Sequence, residues 1–196
     1  MLVGIRGGPA VGREAARRAH QPVDDFPARD RATSHCDFGP RDIALDAAAD
    51  GHLTPRRGPC INERAAIGNR ARAEAGISIH ADGGPTSGHG FHVNVPADIP
   101  GYTDDIYVAS HTLGAALRDT YASETGISPS TYIGSGGLVE RRDFGGLNLS
   151  DVPKVLFETA NMQNAGDAAL LENPTVRQRI ASALANGLAR YFAARG

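Results

Sequence analysis

The sequence predicts an α/β fold, a single domain built on a mainly parallel sheet flanked by helices. Three observations predict it. Short apolar runs at Ile77–Ala81 and Lys154–Thr159 have the length of strands. An apolar stripe of helical period lies between about Asp104 and Tyr121, and the last apolar residues recur at every fourth position. Strands alternating with helices in this way bury a sheet under helical layers. At 196 residues, 41% hydrophobic and 21% charged, the chain is long enough for one domain with a real core.

Each element has a local reason. Asn62 is placed to cap a helix running from Glu63 to about Ala75, where Gly76 breaks it. The strand Ile77–Ala81 ends at Gly83-Gly84-Pro85. Gly90 to Val95 alternates as a second strand and stops at Pro96. On the next helix Ile106, Ala109, Leu113, Leu117 and Tyr121 share one stripe. After Pro153 comes the strand Lys154–Thr159. The last helix has Asn173 as its cap and Pro174 in its first turn, then Val176, Ile180, Leu184, Leu188 and Phe192 on one face.

Residues 1–57 differ in kind. They are rich in Arg, Asp, Ala, Gly and Pro, and their large apolar residues follow no period. Glu14–Ala19 and Ile43–Ala49 are short helix candidates, and no strand is expected. The change near Arg56-Arg57-Gly58 divides an atypical segment, 1–57, from a well-patterned domain, 58–196.

Charge and composition exclude several classes of function. A net charge of −2 provides no electrostatic case for nucleic acid or an anionic membrane. No apolar run approaches the length of a membrane span, and the N-terminus lacks the hydrophobic stretch of a secretory signal. Lys154 is the only lysine, which reflects coding composition rather than an arginine-specific function. Cys36 and Cys60 can form one disulfide if the protein is exported, and the sequence leaves that open.

Two strand ends carry the chemistry. His80 shares a strand face with Ser78, opposite Ile77 and Ile79, and Ala81-Asp82-Gly83-Gly84 follows where α/β sheets open their ligand crevices. The plain alternative is a hydrogen-bonded histidine of no chemical consequence. Glu158 ends the apolar run Val155-Leu156-Phe157, where low dielectric suits a general acid or base. Its structural alternative is an ion pair with Arg141 or Arg142. A histidine and a glutamate at one sheet edge are the minimum set for a metal-assisted hydrolase.

Other polar residues carry less. His89 and His92 are three apart, so on a strand they point to opposite faces and do not chelate one ion together. Asn161 and Asn164 read as turn formers by default, with help in binding substrate as the alternative, His111 as a solvated residue, and Glu63-Arg64 as an ion pair or dipole contact. The loop Gly134-Ser-Gly-Gly137 lacks the lysine and the strand-then-helix setting of a phosphate cradle.

Taken in order, these segments resemble a known family. Gly58-Pro-Cys-Ile-Asn-Glu-Arg-Ala65, Ile77-Ser-Ile-His-Ala-Asp-Gly-Gly84, Gly90-Phe-His-Val-Asn94, Gly145-Gly-Leu-Asn-Leu149 and Val155-Leu-Phe-Glu-Thr-Ala-Asn-Met-Gln-Asn164 with Asp167 are similar to zinc-dependent N-acetylmuramoyl-L-alanine amidases of the mycobacterial and actinobacterial type. The resemblance covers roughly residues 58–196. It implies cleavage of the amide between N-acetylmuramic acid and the L-alanine of peptidoglycan by a zinc-activated water. His80 then corresponds to the last of three Zn²⁺ ligands (His, Glu, His) and Glu158 to the catalytic glutamate. It also implies a peptidoglycan or muropeptide substrate, a cell-envelope, periplasmic or secreted location, and a monomer. The chain departs from the family in residues 1–57. Neither the first histidine on its Gly-rich turn nor the helix-borne glutamate is found there. Glu14, His20, His35 and His52 lack the right setting. That segment reads as divergent, truncated or out of frame, and the alternative function is an inactive remnant that binds peptidoglycan or serves a structural role.

Overall fold

The computed structural model describes residues 2–5 and 61–195. Its elements are β1 (Leu2–Ile5), α1 (Ile61–Ala71), β2 (Ala75–Asp82), β3 (His92–Pro96), α2 (Tyr107–Thr125), β4 (Leu138–Arg141), α3 (Gly145–Asn148), β5 (Lys154–Asn161), α4 (Ala165–Glu172) and α5 (Pro174–Ala193). The strands form one sheet in the order β1-β2-β5-β3-β4. The fold is α/β with helices on the sheet, as the alternation of patterns predicts.

The pairings are mixed. β2 with β5 and β3 with β4 run parallel, whereas β3 with β5 and β1 with β2 run antiparallel. β3 reverses direction because residues 83–91 link it to β2 without a helix, and a parallel return needs a crossover of about a dozen residues or more. β1 supplies a strand within the segment where none is expected. The helix candidates Glu14–Ala19 and Ile43–Ala49, and both cysteines, lie outside the described residues.

Several boundaries move for physical reasons. α1 stops at Ala71 because Arg72 turns left-handed (φ 46°), and Gly76, the expected breaker, instead lies within β2 opposite Lys154. Asn62 sits inside α1 and, among the described residues, accepts from its neighbour Glu63 N at 3.0 Å rather than from the N–H groups two or three positions on that a cap serves. β3 ends at Pro96 as expected, with Pro96 itself the last paired residue, opposite Arg141. The Gly134–Gly137 loop is a turn into β4, with Gly134, Gly136 and Gly137 all at positive φ.

The core lies on one face of the sheet. Ile77, Val93, Val95, Val155 and Phe157 pack against Leu113, Leu117 and Tyr121 of α2, with Ile180, Ala183, Leu184 and Leu188 of α5 beyond. A Cβ on Gly114 would come 2.7 Å from Val95 Cγ1, and one on Gly187 would come 3.0 Å from Leu117 Cδ2. These glycines let α2 approach both the sheet and α5. Tyr121 buries its ring between Phe91 and Phe157 and donates its hydroxyl to Thr159 O at 2.7 Å, so its polar end is satisfied.

α5 follows its sequence pattern closely. Asn173 Oδ1 accepts from Thr175 N at 2.9 Å and Val176 N at 3.3 Å, ahead of Pro174 in the first turn. Asn173→Ala is expected to cost about 1 kcal/mol of stability, read as a shift in the urea midpoint without a change in slope.

Candidate active site

The opposite face of the sheet carries the polar row. Glu158 in β5 is the register partner of His80 in β2 on one side and of His92 in β3 on the other. Register partners share a face with Cβ atoms about 5 Å apart, so two imidazoles flank one carboxylate. Helix α1 packs against α3, and the positive charge of its Arg64 bears on both His80 and Lys154. Lys154, two positions before Leu156 on the same face, is 4% exposed, and burial followed by the Arg64 charge lowers its pKa to about 8.

Electrostatics separate the members of the row. Burial raises the Glu158 pKa to about 7, with the negative charge of Asp82 adding to it. Its Oε2 is buried and has no hydrogen-bond partner. The ion pair with Arg141 or Arg142 that the sequence left open is not formed. Arg141 holds Asp143 through two bonds, at 2.7 and 2.6 Å, and Arg142 donates to Asp98 O at 3.2 Å. Burial lowers the pKa of His92, which is 3% exposed, and Asp82 partly offsets that. His80 has an open outer side, yet the protein around its ring also lowers its pKa, aided by nearby positive charge.

The loop between β2 and β3 is fastened from below. Asn161, fully buried, donates its Nδ2 to Pro85 O and Gly88 O, both at 2.7 Å. Asp167 Oδ2 accepts from Gly90 N at 2.8 Å and Asn161 N at 2.9 Å. Asn164 caps α4 through Gly166 N and Asp167 N and donates to Thr86 O at 2.9 Å. Asn161 and Asn164 form the expected turn, with Asn161 Oδ1 accepting from Gln163 N at 3.0 Å and Asn164 N bonded to Asn161 O, and they clamp the loop as well.

Tyr132 closes the side of the loop. Its hydroxyl donates to Asp82 Oδ2 at 2.6 Å, and its ring stands edge-on to His92 with centroids 6.2 Å apart. A Cβ on Gly84 or Gly88 would come 2.4 Å from that ring. These glycines make room for Tyr132 and give the Gly-rich sequence a packing reason. Burial and the Asp82 bond push the phenol pKa well above its ordinary value.

Among the described residues, no three His, Cys, Asp or Glu side chains form a group able to hold a metal. His80 offers one nitrogen. His89 is exposed and lies ahead of β3, whereas His92 is buried within it. His111 differs from expectation. It is half-buried, with Nε2 3.0 Å from Pro96 O and its ring 4.2 Å from that of Tyr107. Reading residue by residue missed His92, Tyr132 and Asp167 as parts of the site. Apart from His92 and Asp167, which fall in segments of the family resemblance, no local signal marks them, because their roles depend on strand order.

Comparison with known proteins agrees with this architecture. The chain is 43% identical over 139 residues to N-acetylmuramoyl-L-alanine amidase Rv3717 of Mycobacterium tuberculosis, a match covering 71% of this chain and 56% of the relative. The crystal structure of the N-acetylmuramyl-L-alanine amidase Ami1 from Mycobacterium smegmatis superposes with a TM-score of 0.66 at 42% identity, covering 75% of this chain and 65% of that one. Ami1 from Mycobacterium abscessus gives a TM-score of 0.61 at 40% identity, covering 74% and 65%. The chain thus spans little more than half of the tuberculosis relative and just under two thirds of the two solved ones. The sequence profile described as N-acetylmuramoyl-L-alanine amidase matches residues 41–190, beginning upstream of the Gly58 boundary seen in composition. On that match and these identities, the chain belongs to the N-acetylmuramoyl-L-alanine amidase family.

Proposed function

We propose that the chain is the body of a zinc-dependent peptidoglycan amidase, hydrolysing the amide between the lactyl group of N-acetylmuramic acid and the L-alanine of the stem peptide. One observation carries this reading: Glu158 lies within β5 between two imidazoles, with a buried, unpartnered Oε2 and a pKa of about 7. A carboxylate so poised accepts a proton near neutrality and returns it, as attack on an amide and departure of its amine require. Glu158 is the general base and then the general acid. His80 is one nitrogen ligand of Zn²⁺, its lowered pKa keeping the ring neutral as ligation requires. Zinc, when bound, would polarise the scissile carbonyl and acidify a water. Among the described residues no group of three such side chains completes a metal site around His80. Residues 1–57 form the atypical segment ahead of an amidase-like domain, 58–196. The site of action is the cell envelope or beyond, and the working form is a monomer.

The same shortage of ligands favours a second reading, a non-catalytic remnant that binds peptidoglycan. The two are separated by incubating purified protein with muropeptide and measuring bound metal. The amidase reading expects about one Zn²⁺ per chain, release of stem peptides, and loss of metal in His80→Ala. A folded sample that binds muropeptide without turnover, and is indifferent to a chelator, establishes the remnant instead.

A further inference from the structure

Among the described residues, the buried side-chain polar atoms without a hydrogen-bond partner are His92 Nδ1, Asn94 Oδ1, Asn148 Oδ1, Glu158 Oε2 and Thr120 Oγ1. Thr120 belongs to α2, on the core face. The other four belong to the polar face of the sheet or to the helix that covers it. His92 pairs with Glu158 across β3 and β5, and Asn94 pairs with Leu156 one rung away, which puts Asn94 diagonal to Glu158. Asn148 is on α3, which lies against β3 and β5. His92, Asn94 and Asn148 are 3%, 1% and 1% exposed. Asn148 Nδ2 is committed to Arg142 O at 2.8 Å, and Asn94 Nδ2 reaches Leu156 O at 3.5 Å, so both amides are oriented with Oδ1 left over.

Native interiors leave few such atoms unpaired, and a concentration of them in one layer needs an occupant. The two amide oxygens only accept hydrogen bonds, the Glu158 carboxyl accepts when ionised and can donate when protonated, and a neutral imidazole nitrogen either donates or accepts. Water meets all of them, since it both donates and accepts, and it is the usual partner of polar groups buried in this way. We propose that His92, Asn94 and Asn148 enclose ordered water whose hydrogen bonds end on Glu158 Oε2, making these three the positioning residues of that carboxylate. The hydrated layer stands on the burial and register of the four groups. Its effect on catalysis rests on the amidase reading given above.

Water-to-protein NOE spectra of the wild-type chain test the layer directly. Cross-peaks from long-residence water to the side-chain amide protons of Asn94 and Asn148 are expected, and their absence at both residues overturns the proposal. Asn94→Leu, close to the same volume, supplies the second arm. With water in place, the variant strands its other partners and Tm falls by about 3 °C or more. A Tm that rises means Oδ1 was truly unpartnered, and the proposal fails. On muropeptide, Asn94→Leu should lower kcat about tenfold with KM within about twofold, and Asn94→Ser should recover most of the loss. An unchanged kcat removes the positioning role. If the wild-type chain shows no turnover, the amidase reading and the positioning role fall together. The NOE and Tm results still decide the hydrated layer.

Discussion

Glu158→Gln is expected to abolish most muropeptide turnover, lowering kcat by about 10²–10⁴-fold, while stabilising the fold at alkaline pH. The two effects share one cause. Burial and the Asp82 charge move the Glu158 pKa from 4.5 up to about 7, so between those values the folded protein holds a proton that the unfolded chain has released. Stability from this group is fully present below pH 4.5 and is lost as pH rises through about 7. Glutamine cannot ionise and escapes that loss. The variant should therefore unfold at a higher temperature than wild type at pH 8.5 and at a similar one at pH 4. On the proposed amidase mechanism its KM and zinc content should stay close to wild type, since that mechanism gives Glu158 the proton and not the metal. Wild-type kcat/KM should rise with pH through about 7, where the base loses its own proton. Turnover in Glu158→Gln within threefold of wild type would place the base elsewhere. A lower Tm at pH 8.5 would mean the carboxylate has a partner after all.

How much of this was legible in the sequence follows from what local patterns encode. α5 reads directly because an exposed amphipathic helix with an Asn-Pro start writes its period and its boundary into adjacent residues. β2 and β5 read as apolar runs because they are central strands, and each displays its one functional residue as a polar exception. His80 and Glu158 could be singled out for that reason. β4 is four residues, Leu-Val-Glu-Arg, too short and too irregular to announce itself. The pairing of His92 with Glu158 was hidden more deeply. It depends on β3 inserting antiparallel beside β5, a contact across 66 positions of sequence that no periodicity encodes. Asn161 shows the same limit. A strand-end asparagine signals a turn, whereas its buried bonds to Pro85 and Gly88 exist only once the loop folds over it.

The largest losses of stability are expected at that loop, from Asn161→Ala and Asp167→Ala. Asn161→Ala leaves the carbonyls of Pro85 and Gly88 without their donor and opens a small void, costing about 2–4 kcal/mol. Asp167→Ala strands the backbone N–H groups of Gly90 and Asn161, and both bonds are charge-assisted, so about 3–5 kcal/mol is expected. Each would lower Tm by roughly 6 °C or more. The two residues hold one segment, and Asp167 itself anchors the backbone of Asn161. Once either is gone the loop is already loosened and the second loss costs less. The double variant should fall short of the sum by about 1–2 kcal/mol, a coupling readable from urea midpoints. Turnover should suffer in both single variants, because this loop joins Asp82 to His92 and so sets the distance between the groups on either side of Glu158. Strict additivity would show that the clamp is two independent contacts. Normal turnover in a destabilised Asp167→Ala would show that the loop's position matters to folding alone. Asp167→Asn separates charge from shape, since its Oδ1 can still accept both N–H groups. An intermediate loss there would assign the remainder to the negative charge.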